Sequence, residues 1–194
     1  MSRLLPVEPD EVRRLSRQFG APRRALLTLA RPPLSASEHA DRRAEVVLAI
    51  RRSNGRVLLH TKSFYPPGVF RLLSGGIHWD EGVEDALRRE ATEETGLAVE
   101  VERFVALVRY RANGRPLAFA SYIFLLNADG PKPSVQDIKE RIAAFREVKP
   151  ERLRAVAQQL RSLPENWRDW GEFRALSHEL VADALRPPAA TRPR

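Results

Sequence analysis

The chain has no cysteine. That removes disulfides, thiolate metal sites and cysteine nucleophiles together, and leaves the redox compartment open. Lysine is scarce as well: only four of the 33 basic residues are lysine and the rest are arginine. These arginines are spread along the sequence, so the net charge of +8 is a weak argument for nucleic acid. The densest stretch is residues 1–31, where seven arginines face Glu8, Asp10 and Glu11. No aromatic-interleaved basic stripe of the kind that grips single strands is present, and nucleic-acid binding is not expected as the main function. No apolar run approaches the roughly eighteen residues of a membrane span. The N-terminal stretch "MSRLLPVEPDEVRRLSRQFG" lacks a long apolar core and carries acids early, so no export signal is expected and the cytoplasm is the expected compartment. Of the four histidines, His39, His60, His78 and His178, no two are spaced as a metal pair. What is left is ordinary for a globular chain: 194 residues, 43% hydrophobic and 30% charged, enough for one domain with a proper core.

Residues 1–41 read as an N-terminal helical extension. In "EPDEVRRLSRQFG", Pro9 suits the first turn, Val12, Leu15 and Phe19 share a face, and Gly20 suits the stop. That stripe needs a surface to cover, either its own domain or a second subunit in a homodimer. A short strand is expected over residues 25–30. The main domain is expected over residues 42–186, with a frayed tail over 187–194. "AEVVLAI" and "RVLLHTK" are strand-like around a turn at Asn54 and Gly55, and a second hairpin turns at Asn113 and Gly114. "SFYPPGVFRLL" reads as a proline loop and a short strand, "ADGPKPSVQD" as a loop, and "RIAAFREV" as the last strand. Two helices follow: "KPERLRAVAQQLRSL", with Leu153, Val156, Leu160 and Leu163 on one face, and "WRDWGEFRALSHELVADAL", whose Trp167, Trp170 and Phe173 read as core packing. Strands, one helix, strands, then helices argue an α/β (α+β) fold, a mixed β-sheet covered by helices.

The helix between the hairpins carries the chemistry. From Ile77 to Glu94 the chain packs in seven acids: Asp80, Glu81, Glu84, Asp85, Glu90, Glu93 and Glu94. With the helix over residues 83–95, Gly82 is an acceptable N-cap, Glu84 and Asp85 favour the positive end, and Gly96 suits a left-handed stop. Steps of three and four then place Val83, Ala86, Leu87, Glu90, Ala91 and Glu94 on the inward face, with Glu93 at its edge. Carboxylates carried inward are costly unless paired, and like charges one turn apart repel. Either nearby arginines or a hard divalent cation, Mg²⁺ or Mn²⁺, would resolve the conflict.

The spacing narrows the choice. Gly75, then Glu81, then "REATEETGL" from Arg89 to Leu97 resembles the Nudix box, the signature of the Nudix hydrolase superfamily, at every fixed position. Four positions depart from common members: Leu73 and Ser74 stand where Pro-Gly is frequent, His78 where an acid is frequent, and Ala91 at a hydrophobic position. The resemblance implies a Nudix-like α/β/α sandwich and metal-dependent hydrolysis of a diphosphate linkage in a nucleoside diphosphate joined to another group. It implies Glu90 and Glu94 as metal ligands, Glu93 as a third ligand or the general base, the Gly75 carbonyl as a further ligand, and Arg89 as the residue that orients the carboxylates. Glu81 reaches a second metal or only pairs with Arg89. An acid outside the box is used by several members, and Glu140 and Asp137 occupy the comparable stretch. Tyr65, Phe70 and Arg71, with Phe64, precede the box and would line the substrate pocket. His78 is expected as a loop residue near the site. Two other functions stay open on the same residues, a non-catalytic nucleotide-reading module and an RNA-directed protein.

Overall fold

The structure, a computed structural model, describes residues 6–31 and 41–186; the expected tail lies outside them. Its elements run α1 (Pro9–Phe19), β1 (Arg23–Leu29), β2 (Arg42–Arg52), β3 (Val57–Lys62), β4 (Leu73–His78), α2 (Val83–Thr95), β5 (Glu100–Ala112), β6 (Arg115–Ala128), β7 (Ile142–Val148), α3 (Leu153–Arg161) and α4 (Glu165–Ala184). Single 3-10 turns precede β7 at Ile138–Glu140 and α3 at Pro150–Arg152. One mixed sheet holds all seven strands in the order β1-β5-β6-β2-β3-β7, with β4 beside β2. β2 runs parallel to β6, and its other edge is divided between β3 at one end and β4 at the other.

Helices cover both faces, which is why the middle of β2, Val46 to Ile50, is an unbroken apolar run rather than alternating. Val46, Leu48 and Ile50 point to the face under α1 and α2, where they meet Val83, Leu87, Phe104 and Phe124. Val47 and Ala49 point to the face under α3 and α4, with Leu59, Ile123, Leu153 and Phe173. Both Asn-Gly turns close as expected. Asn113 and Gly114 take φ of 52° and 72°, the paired left-handed conformation that a two-residue hairpin turn requires. No helix among the described residues is long and apolar enough to cross a membrane.

The stripe of α1 packs on its own sheet. Val12 and Leu15 are buried in the same core as α2, and Phe19 meets Phe124 edge-on with ring centroids 6.2 Å apart. α1 also fixes the acidic helix. Gly82 brings no side chain to the N-terminus of α2, and the Val83 N–H donates instead to Glu11 of α1 at 2.8 Å. The second Glu11 oxygen accepts from the buried Arg43 at 2.9 Å, and Arg14 pairs with Glu84. Because Leu15 is 0% exposed, Leu15→Ala is expected to destabilise the domain by about 2–5 kcal/mol. Urea titration followed by circular dichroism checks this; a midpoint equal to wild type would mean α1 is merely laid on the surface.

One expectation is corrected. The strand expected to end at "FRLL" extends into the box. Arg71 makes only an isolated bridge to His60, and β4 takes in Ser74, Gly75 and Gly76, which pair with Val47, Val46 and Glu45. Two adjacent glycines are poor strand formers by themselves, but β2 supplies the partner edge.

Candidate active site

α2 follows its sequence closely. Gly96 stops it at φ 66°, with its N–H on the Thr92 carbonyl, and the buried stripe includes Glu90 and Glu94 while Asp85, Arg88 and Thr92 face outward. Glu94 is 0% exposed and neither carboxylate oxygen has a hydrogen-bond partner. Its nearest cations stand off: Lys62 Nζ at 3.5 Å and His60 Nδ1 at 3.8 Å. Burial pushes the Glu94 carboxyl up to about 8, against the pull of Lys62 and Arg71. His60 gives no charge back. Burial, aided by Arg71 and Lys62, holds its imidazole well below the usual value, and neither ring nitrogen has a partner.

The other box acids are gathered by one guanidinium. Arg89 donates to both Glu81 oxygens at 2.8 and 2.9 Å, to Glu90 at 2.8 Å, to Glu93 at 3.0 Å and to the Gly76 carbonyl at 2.8 Å. Burial would raise the Glu81 carboxyl, but the Arg89 bonds and the His78 N–H outweigh it and lower the pKa. For Glu90, burial wins over Arg89 and the pKa rises. Gly75 lies so close that a Cβ there would fall on the Glu90 carboxylate.

Among the described residues no three His, Asp or Glu side chains form a ready cage for a cation. Arg89 stands between Glu81, Glu90 and Glu93. The buried carboxylate of Glu94, which accepts no hydrogen bond and lies one turn from Glu90, is the arrangement that fits a divalent ion. Mg²⁺ takes one or two carboxylates and completes its shell with water and phosphate oxygens rather than with an all-protein cage. Glu90, with the Gly75 backbone beside it, and Glu94 one turn on would make up such a partial, hard-oxygen donor set.

A cavity of about 400 Å³ opens over Gly75 and Glu90. Lys62, Arg71, Arg174 and Glu140 line its polar side. Lys62 holds Glu140 at 2.6 Å. Arg71 and Arg174 both donate to the Ser74 hydroxyl, at 2.9 and 3.0 Å, and Arg174 also binds the buried Glu45 at 2.8 Å. Phe64, Tyr65, Trp167 and Trp170 form the opposite, aromatic side. The Tyr65 ring is 4.9 Å from Phe64 and from Trp170, and its hydroxyl accepts from Arg71 at 2.8 Å. Gly171 lets α4 press against the Leu160 carbonyl of α3, where a Cβ would overlap it, and this crossing holds the tryptophans over the cavity.

The structure thus brings Tyr65, Arg71, Gly75, Glu90 and Glu140 to one cavity, with Arg89, Glu81, Glu93 and Glu94 joined to it through α2. Phe70 stands outside: its ring packs on the α3/α4 side with the Arg146 guanidinium 3.9 Å from its centroid. Asp137 caps the 3-10 turn through the Lys139 N–H, and His78 contributes its backbone N–H to Glu81 at 3.2 Å. Sequence reasoning missed Arg42, His60, Lys62, Ser74 and Arg174. Trp167 and Trp170 do pack on a small core with Leu160 and Leu163, as read from the sequence, and they also line the cavity, which a pair at i, i+3 does not reveal.

Comparison with known proteins agrees with this picture. The NUDIX domain model matches residues 41–170. Nudix hydrolase 19, chloroplastic, of Arabidopsis thaliana is 44% identical over 54 residues, 28% of this chain and 12% of that protein. NAD-capped RNA hydrolase NUDT12 of Homo sapiens is 39% identical over 62 residues, 31% of this chain and 13% of that protein. The matched region therefore spans only about an eighth of either relative. The crystal structure of Tm1382, described as a Nudix hydrolase, superposes with a TM-score of 0.52 at 15% identity, covering 79% of this chain and 78% of that one, a likeness of fold.

Proposed function

This chain belongs to the Nudix family, and from that premise we propose that it hydrolyses a diphosphate linkage in a nucleoside diphosphate joined to another group, using Mg²⁺ or Mn²⁺. The observation that carries the reading is Glu94: a carboxylate wholly buried, without a hydrogen bond, one helical turn from Glu90. A solvated acidic face would not be built this way.

A bound divalent ion supplies charge neutralisation and a water of lowered pKa. Glu90 and Glu94 hold it, with the Gly75 carbonyl beside them. Glu93 is partly exposed at the edge of the stripe, where it can take a proton from water or act as a third ligand. Arg89 positions Glu81, Glu90 and Glu93 relative to one another and does not meet the substrate. Glu140, held by Lys62 within the cavity, is the acid outside the box. Arg71 and Tyr65 line the substrate's space, and the aromatic side suits a planar base.

The test is a panel of ADP-ribose, a nucleoside triphosphate, a dinucleoside polyphosphate and NAD, the last suggested by the name of one relative. Each is incubated with Mg²⁺ or Mn²⁺ and the products are separated. Release of a monophosphate from at least one compound, abolished by EDTA and restored by metal, is the expected result. Binding without release across the panel would favour a nucleotide-reading module on the same fold, and turnover undiminished in chelator would end the metal reading.

A further inference from the structure

Gly76, next to the first glycine of the box, accepts from Arg89 through its carbonyl, a bond that any residue could make. Gly76 pairs with Glu45 across β4 and β2, and its φ is not in the left-handed region, so no turn requires glycine there. What it provides is space. A Cβ on residue 76 would overlap Cγ, Cδ and Nε of Arg42, whose side chain lies across the glycine. Arg42 is brought there by a register shift between Arg42 and Ala44 where β2 meets β4. A bulge of this kind re-aims the side chains on either side of it. Arg43 turns inward to Glu11 and the Glu81 carbonyl, both at 2.9 Å, while Arg42 turns over Gly76 to the cavity that holds Gly75 and Glu90.

The cations beside Arg42 are engaged: Arg71 donates to Tyr65 and Ser74, Lys62 to Glu140, and Arg174 to Glu45 and Ser74, although the Arg174 Nε, like that of Arg42, is buried without an acceptor. The Arg42 Nε is buried and has no acceptor. The nearest carboxylate, on Asp41, is 3.9 Å away, and 37% of the side chain stays open. A guanidinium with a desolvated, unsatisfied N–H is costly unless something arrives to accept it. Its planar fork matches phosphate oxygens.

We propose that Arg42 is a substrate-binding residue that clamps the diphosphate, and that Gly76 is glycine to seat it. The inference rests on the diphosphate reading above. Arg42 and Glu90 line the same cavity, so an anion in it would lie within reach of both the guanidinium and the metal-facing carboxylates.

The probe is methylenediphosphonate, a diphosphate analogue that cannot be hydrolysed, titrated by calorimetry with and without Mg²⁺. Arg42→Ala is expected to weaken its binding about 10- to 100-fold, the loss expected for a charge-assisted hydrogen-bonded pair, and Arg42→Lys to fall between. With the best compound of the panel, KM should rise by a similar factor while kcat changes less than about threefold. Gly76→Ala should reproduce the Arg42→Ala defect, and the double variant should be no worse than either alone, because the alanine has already expelled the arginine. Additive defects, or Arg42→Ala binding the analogue as wild type does, would overturn the proposal. If Gly76→Ala does not fold, the two Arg42 variants decide it alone, given wild-type melting. Wild type binding the analogue but cleaving no compound of the panel would refute the hydrolase reading and leave the clamp standing.

Discussion

Glu94→Gln is expected to fold, to melt higher than wild type in chelator at pH 8, and to turn over at about a thousandth of the wild-type rate or less. Glutamine keeps the size and removes the charge that would hold the ion. The stability half follows from the raised pKa. Unfolded, the Glu94 carboxyl titrates near the ordinary glutamate value of 4.5, and burial in the fold pushes it up to about 8. Between those values the native state holds a proton that the unfolded chain has released, so wild-type stability without metal falls as pH rises through that window. Its contribution is fully present below the lower value and lost above the upper one. Glutamine has no such dependence, and the expected gain at pH 8 is of order a few kcal/mol. Thermal melts from pH 4.5 to 8.5 in EDTA and then in Mg²⁺ check this. The wild type should recover stability on adding Mg²⁺ and the variant should not. Glu84→Gln is the control, since that acid faces α1 and pairs with Arg14. Comparable turnover in the two variants would show that the acidic cluster is a solvated face.

Gly75→Ala is expected to lose activity without losing the fold. An added Cβ falls on the carboxylate of Glu90. The obstacle is the far end of a flexible side chain, and the glycine's φ is not left-handed, so the strand accepts alanine. Glu90 must swing away, and stability should change by about 1 kcal/mol or less, since alanine also restricts the unfolded chain. A displaced ligand should nevertheless cost about 100-fold or more in rate, because the reacting groups no longer meet in register. The measurement is kcat/KM beside Mn²⁺ affinity by electron paramagnetic resonance. Near-wild-type values for both would remove Gly75 and Glu90 from the site.

What the sequence made legible was local. The limits of α2, its glycine caps and the inward placement of Glu90 and Glu94 follow from one turn of helix at a time. So do the two Asn-Gly hairpins. What it hid depended on partners distant in the chain. Glu11 caps α2 from 72 residues away, which no capping pattern reveals. The short strand read at "FRLL" stopped before Gly75 and Gly76 because β4 forms only against β2. Lys62 and His60 read as the end of an amphipathic strand, and only the packing of α2 over β3 turns them into the surroundings of Glu94. Trp167 and Trp170 were visible as a stripe, but what the stripe faces is set by the crossing of α4 on α3.

The order of the strands also decides when the site can exist during synthesis. Glu45, on the central strand, finds Ser121 76 residues later and Arg174 129 residues later. β1 waits for β5, and β3 waits for β7. Only the hairpins and helices can close early. Such long loops make folding slow and place most of it late, when the last partners have left the ribosome. A nascent chain that ends just after α2 has its row of carboxylates in water, free to ionise and open to any divalent ion in the cell. Glu94 is desolvated only once α2 lies beside β3, where His60 and Lys62 stand next to it.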